Sequence, residues 1–378
     1  MLLFVTEIYS VITVAVGTFF LLLAIGNIIE MRWNTKKPTL TNGPMVSVLI
    51  PARNEEANIE KCILNLENQT YQNYEILVID DNSTDNTFAI LEKLSKQYSN
   101  LRIFKGQPLK KGWFGKPYAL QQLSEEARGE ILLLTDADTT HAPTSVSWAV
   151  SNLSELNVDM VSGYVGQELV TFGEKMTVPL MYMLTGFILP LALNRFRKTS
   201  VFSSAIGQYI AIKKDVFLKC GAYHAIRDKT TEDIYLARHI KKQGYKTRFL
   251  DISNQVSCRM YKGYMQGVDG IGKNIFDFFG KNTFLLAIVF FAVFFFLLFP
   301  FPILLSMIYE NHPCLNQMIL TNILFTLTWL VIFVDRKMNL LLAFLWPFLF
   351  MNLLFMAARS WVKTVSGQGF EWKGRVVT

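Results

Sequence analysis

Cysteine is scarce in this chain and never clustered. Cys62, Cys220, Cys258 and Cys314 are far apart and form no CxxC pair. That argues against a disulfide framework or a zinc site and suits a reducing, cytosolic face. The four histidines are equally scattered. Charge is also in short supply. Asp, Glu, Lys and Arg make up 18% of the residues, against about 25% in soluble domains. Hydrophobic residues make up 51%, so membrane segments are expected. The net charge is +7, yet no Lys/Arg-rich run is interleaved with aromatics, so nucleic acid is not the expected partner. A cytoplasmic-face excess beside anionic lipid accounts for the charge. There is no internal repeat and no low-complexity tract, and 378 residues suffice for one large domain plus extras.

What the chain does have is long apolar runs. Residues 8–29 carry no charge and can span a hydrocarbon core of about 30 Å. Glu7 precedes them without any Lys or Arg, so residues 1–31 read as a retained anchor, not a cleaved signal. Arg32, Lys36 and Lys37 follow and place the next domain in the cytoplasm. Three more apolar runs, 284–309, 318–334 and 340–358, form a C-terminal membrane block, 284–358. Pro300 and Pro302 break the first. "DRKMN" joins the other two and should face the cytoplasm with its two cations. Three crossings would put the tail, 359–378, outside with Arg359, Lys363, Lys373 and Arg375, against the positive-inside bias. Residues 176–193 are apolar but interrupted by Pro179, Gly186 and Pro190. With Lys175, Arg195, Arg197 and Lys198 beside it, the 176–198 segment reads as interfacial or buried in preference to spanning. Residues 261–283 read as an amphipathic, interfacial connector.

Between anchor and block, residues 45–260 form the expected catalytic domain. "VSVLI" (46–50), "EILVID" (75–80) and "ILLLT" (131–135) are buried strands, with helical patterns near 55–68, 84–98 and 117–127. Alternating strands and helices give a mostly parallel sheet covered on both faces. Ligands of such sheets bind beyond the carboxyl ends of the strands. The three strands end in "PARNEE", "DDNSTD" and "DAD", and every polar cluster in this half falls at such an end.

Each cluster also has a plain structural reading. Pro51 ends its strand, and Asn54 with Glu55 and Glu56 would cap the following helix; Arg53 is left unexplained. Ser83 or Asp85 would cap the next helix, which leaves Asp80 and Asp81 together unexplained. Asp81 could accept a hydrogen bond from a ligand N–H such as a uracil N3. "KGWFGKPYAL" is a glycine-punctuated loop with Lys116 at a helix start, where a lysine can reach a phosphate; Pro117 fits the first turn. "TEDIYLARHI" opens a helix with Thr231 as cap and Glu232 and Asp233 in its first turn; Asp233 is also a candidate general base. "CRMYKGYMQGVDGIGKN" supplies Arg259, Tyr261 and Lys273, which would neutralise a leaving diphosphate or anchor at lipid headgroups. Asp136 and Asp138 point to one side of an extended strand. They repel each other beside an apolar run and require a counter-cation. With diphosphate oxygens they form a shell for Mg2+ or Mn2+.

Taken in order, "VSVLIPARNEE", "ILVIDDNSTDNT", "GKPYAL", "LLLTDAD" and "TEDIYLARHI" resemble the family 2 glycosyltransferases. The resemblance implies an α/β GT-A fold (Rossmann-like, nucleotide-diphospho-sugar transferase) with one N-terminal and about three C-terminal membrane helices. It implies inverting transfer from a UDP-sugar, with Pro51, Glu55 and Asp81 holding the nucleoside, Lys116 and Asp136 the nucleotide sugar, Asp138 the metal, and Asp233 as base. The Q/R-x-x-R-W motif of processive synthases is missing after "TED", so a single transfer is expected. The layout, "RMYKGY" and the tail "FEWKGR" are similar to the 4,4'-diaponeurosporenoate glycosyltransferases of bacterial carotenoid pathways. That implies UDP-glucose as donor and the carboxyl of a C30 carotenoid acid as acceptor. Another lipid acceptor, such as a polyprenyl phosphate or glycolipid, or cell-envelope polysaccharide synthesis, is the alternative. The expected setting is a multi-pass plasma-membrane protein with a cytoplasmic catalytic domain. A nucleotidyltransferase, a polysaccharide synthase and a non-catalytic scaffold or transporter are the competing classes.

Overall fold

The computed structural model describes residues 2–183, 187–196, 199–229 and 231–377. Gly186, Arg197 and Lys198, which bear on the interfacial reading of the 176–198 segment, lie outside them. In chain order the first elements are α1 (Leu2–Asn34), β1 (Val46–Ala52), α2 (Ile59–Glu67), β2 (Tyr74–Asp80), α3 (Thr87–Ser95), β3 (Leu101–Lys105) and α4 (Gly115–Glu126). Then come β4 (Ile131–Thr135), β5 (Thr139–His141), α5 (Ser145–Glu155), β6 (Met160–Tyr164), β7 (Gly166–Gln167), α6 (Phe172–Thr177), β8 (Tyr209–Lys213), α7 (Lys214–Lys219) and α8 (Glu232–Lys242). The chain continues with β9 (Thr247–Asp251), β10 (Val256–Cys258), α9 (Tyr264–Phe278), α10 (Thr283–Ala292), α11 (Pro300–Glu310), α12 (Leu315–Asp335) and α13 (Trp346–Val365). A hairpin of β11 (Phe370–Trp372) and β12 (Arg375–Val377) follows.

The chain divides into two compact units, one of residues 30–168 and 191–260, the other of 1–29, 169–190 and 261–378. The first is built on a seven-stranded sheet in the order β3-β2-β1-β4-β8-β6-β9. β1 runs parallel to β2 and β4, and β2 to β3, whereas β8 is antiparallel to β4 and β6. Alternation along the strands serves both faces. Val48, Ile50, Val78 and Leu133 pack toward α2, α3 and α5. Leu49, Leu77, Leu132 and Leu134 pack with Ala119, Leu120 and Leu123 of α4 and Leu236, Ala237 and Ile240 of α8. β1 does not stop at Pro51. It continues to Ala52, with Pro51 opposite Ile79 and Ala52 opposite Asp80, because proline needs only one side of its backbone free of donation. A three-stranded sheet, β5-β10-β7, flanks the acidic turn after β4.

Polar clustering is not confined to the carboxyl ends. At the amino ends, Ser47 donates to Glu75 Oε1 at 2.7 Å, Arg128 N–H donates to the same oxygen, and Arg102 pairs with Glu75 at 3.1 Å. This buried network satisfies a carboxylate that packing alone would not tolerate.

Among the described residues, four helices are long and apolar enough to cross a membrane: residues 3–34, 283–310, 315–335 and 340–365. The prolines do not break the first C-terminal run. Pro300 opens α11, where its missing N–H costs nothing. α13 continues to Val365, so Arg359 and Lys363 are helical and do not belong to a free tail. Both face Asp269 of α9, at 2.7 and 3.7 Å. In "DRKMN", Arg336 is enclosed against Asp335 and the Tyr182 ring and is not a solvent-facing loop cation. Residues 169–190 pack with this unit, and α6 lies close to α9. A Cβ at Gly267 would sit 2.3 Å from Thr177 Oγ1, so glycine is required for that approach.

Candidate active site

The register sets the site. Ala52, Asp80 and Lys105 are level across β1, β2 and β3, and Leu49 of β1 lies opposite Leu134 of β4. The four parallel strands therefore deliver "PARNEE", "DDNSTD" and "DAD" to one edge.

The first two loops are laced together. Arg53 Nη1 donates to the carbonyls of Asp81 and Asn82 at 2.6 and 2.9 Å. Asn54, in the left-handed region at φ 52°, donates its N–H to Ser83 Oγ, and its Oδ1 accepts from Thr84 N–H. Thr87 Oγ1 accepts from Glu55 N–H, and Asp85 accepts from Glu56 N–H. Asn54 is thus no helix cap: α2 begins only at Ile59. Ser83 does not cap either, whereas Asp85 does accept from Thr87 N–H at the start of α3. Pro51 is half-buried, and Glu55 and Asp81 are buried. Arg53, which sequence reasoning leaves without a role, is the side chain that explains the pairing.

The second half of the site centres on Lys116. Its ammonium lies 2.6 Å from Asp136 Oδ1 and 3.3 Å from Glu232 Oε1. Burial works against its charge, but Asp136, Glu232 and Asp233 outweigh burial and hold its pKa well above the ordinary lysine value. The counter-cation demanded by the aspartate pair is therefore, for Asp136, this lysine. Asp233 opens α8. Its Oδ2 accepts from Gly207 N–H and its Oδ1 from Ile234 N–H, each at 2.8 Å. Burial, reinforced by Glu232 and partly offset by Lys116, pushes its carboxyl up to about 7. Thr231 occupies the cap position of α8 but makes no capping hydrogen bond there.

Asp136 and Asp138 occupy the turn between β4 and β5, not a strand. Both are half-buried, with Ala137 directed into the core. Asp138 adds to the burial that raises the Cys62 thiol to about 12 and holds the Cys258 thiol well above its ordinary value; both are inert thiols. Beneath the turn, His141 bonds Thr135, Thr139 and Ser145 at 3.0 to 3.1 Å. Burial drives its pKa down to about 3, so a neutral imidazole braces the turn. Arg259 follows Cys258, the β10 partner of Thr139, which itself follows Asp138. Tyr261 and Lys273 belong to the second unit. Tyr261 is buried there against Gly270, whose absent Cβ would lie 2.1 Å from the ring.

Among the described residues, no three His, Cys, Asp or Glu side chains form a ready-made metal shell. The donors fit a hard divalent ion nonetheless. Mg2+ is commonly held by one or two carboxylates and completes its shell with substrate phosphates and water.

Residues 47–221 match the family model described as glycosyl transferase family 2. Asp233 and Arg259 lie beyond the matched residues. The chain is 45% identical over 97 residues to a beta-monoglucosyldiacylglycerol synthase of Nostoc, covering 25% of this chain and 20% of that protein. It is 29% identical over 227 residues to the "Probable glycosyltransferase YdaM" of Bacillus subtilis, covering 59% and 51%. The chain thus spans from a fifth to about half the length of these relatives. The mannosyltransferase PcManGT of Pyrobaculum calidifontis superposes with a TM-score of 0.53 at 19% identity, over 93% of this chain and 99% of that one. The fold is a mixed α/β GT-A fold with a parallel-dominated sheet.

Proposed function

We propose that this protein transfers a sugar, one unit at a time and with inversion, from a nucleotide-sugar donor to a lipid-soluble acceptor at the membrane. The observation that carries this reading is the cluster of Lys116, Asp136, Glu232 and Asp233 at the carboxyl edge of the sheet. It joins a cation suited to a diphosphate with a carboxyl whose pKa, about 7, matches a general base at neutral pH.

In this reading Pro51, Glu55 and Asp81 hold the nucleoside, and Arg53 fixes their loop. Lys116 and Asp136 orient the nucleotide sugar. Asp138 would hold Mg2+ or Mn2+, which when bound supplies countercharge to the diphosphate. Arg259 serves the diphosphate or acceptor side. The acceptor oxygen forms its bond to the anomeric carbon as the bond to the diphosphate breaks. The electron pair leaves on the nucleoside diphosphate, and the acceptor proton passes to Asp233.

The donor proposed is UDP-glucose. The Nostoc relative's name, a glucosyldiacylglycerol synthase, supports a glucosyl group and a lipid acceptor. The mannosyltransferase was captured with GDP-Man and Mn2+, so GDP-mannose is the comparison donor. Three carboxylates against one ammonium favour a neutral hydroxyl acceptor over the carboxyl of a carotenoid acid, which is ionised at pH 7. Four apolar helices and the flank of Arg32, Lys36 and Lys37 support a multi-pass plasma-membrane protein with this unit in the cytoplasm.

The test is incubation of membranes carrying the protein with UDP-glucose or GDP-mannose, each radiolabelled in the sugar. Label in the lipid extract, held as a glycoside that mild alkali does not convert to free sugar, with release of UDP is the expected result. Free labelled sugar released by mild alkali, in place of a glycoside of the deacylated acceptor, indicates a sugar ester and thus a carboxyl acceptor. Released diphosphate, or a polymeric product, contradicts single glycosyl transfer.

A further inference from the structure

The turn before β8 holds a feature that no motif announced. Gly207 N–H donates to Asp233 Oδ2 at 2.8 Å. A Cβ on Gly207 would lie 2.7 Å from Lys116 Nζ, 3.5 Å from Glu232 Oε1 and 3.6 Å from Asp233 Oδ2. A side chain here would have to displace the end of the Lys116 side chain. The turn cannot back away, because it is held from both sides. Ser162 Oγ accepts from Ile206 N–H at 2.9 Å and donates to Tyr209 O at 2.8 Å, and Thr135 Oγ1 donates to Gln208 O at 2.8 Å. Ser162 and Thr135 are buried.

We propose that Gly207 is a positioning residue of this site: its N–H fixes the Asp233 carboxylate, and its missing side chain leaves the room in which the Lys116 ammonium bridges Asp136 and Glu232. One backbone position thereby sets the spacing between the donor-side cation and the acceptor-side base. The inference rests on the glycosyltransferase reading and adds a residue to it. The groups that bear on Asp233 are Glu232 beside it on α8, Lys116 from α4, Tyr223 from the turn after α7, and Asp136 beyond the lysine. Displacing Lys116 removes the one cation among them, so Asp233 should hold its proton to higher pH.

The experiment compares Gly207→Ala, Lys116→Met and their combination in the full-length protein. UDP affinity is measured by titration and transfer from UDP-glucose across pH. Gly207→Ala should weaken UDP about tenfold, the effect expected of removing one charge-assisted hydrogen bond. It should also move the acid limb of kcat/KM upward by about one unit. Added to Lys116→Met it should weaken UDP no further, since both act through one ammonium. Lys116→Arg is the second variant: its planar head group does not fit the gap against Gly207, so UDP should weaken although the charge is kept. Wild-type UDP affinity and pH limb in Gly207→Ala, an additive loss in the combination, or wild-type affinity in Lys116→Arg each overturn the inference alone. A wild-type protein that binds neither UDP nor GDP overturns the glycosyltransferase reading, and this inference with it.

Discussion

Asp233 and Asp138 are asked to do different work, and single substitutions separate them. Asp138→Ala should abolish transfer to any acceptor. Asp233→Asn should cost roughly 10²–10⁴ in kcat with a hydroxyl acceptor and far less with a carboxylic acid, which brings no proton to remove. The raised pKa of Asp233 also has a stability consequence with a definite sign. The unfolded carboxyl ionises near pH 4, the folded one near 7. The folded state therefore binds the extra proton between these values, and the stability this contributes is lost as pH rises through about 7. Asp233→Asn keeps an uncharged acceptor for Gly207 N–H. It should raise the thermal midpoint at pH 8 and leave it nearly unchanged at pH 4, a comparison that needs only thermal melts. A midpoint that falls at both values would mean that the carboxylate stabilises the fold.

At the level of elements, the site depends on loops held by side chains at strand ends. Arg53 ties the loop after β1 to the carbonyls of the loop after β2. Arg53→Met should raise the donor KM about tenfold, leaving kcat within about twofold, as expected when only ground-state binding is weakened. A fall in kcat with unchanged KM would place Arg53 in the transition state instead. The sequence made β1, β2 and β4 readable because buried parallel strands are continuous apolar runs, and their acidic ends marked the right edge of the sheet. It did not disclose β8, β6 or β9, nor Gly207. These depend on long-range pairing, and a glycine wanted for space leaves no pattern. Glu232 was visible but carried no role of its own; only packing brings it to Lys116. The Ser47–Glu75–Arg102 network at the opposite edge was equally hidden, since its members lie far apart in the chain.

For the whole molecule, the two units answer two needs. The sheet unit carries the acid–lysine cluster, and the other carries, among the described residues, three helices apolar enough to cross a membrane and most of a fourth. On this account the protein should stay with the membrane pellet after alkaline carbonate extraction, and release into the supernatant would contradict the membrane assignment. The most direct test of the central claim is transfer of radiolabelled sugar from UDP-glucose or GDP-mannose into chloroform-extractable lipid, by wild-type protein and Asp138→Ala side by side. The account predicts label in the wild-type lipid extract and none with Asp138→Ala. Full labelling by the Asp138 variant, or no lipid label from either donor with folded wild-type protein and its native lipids, would contradict it.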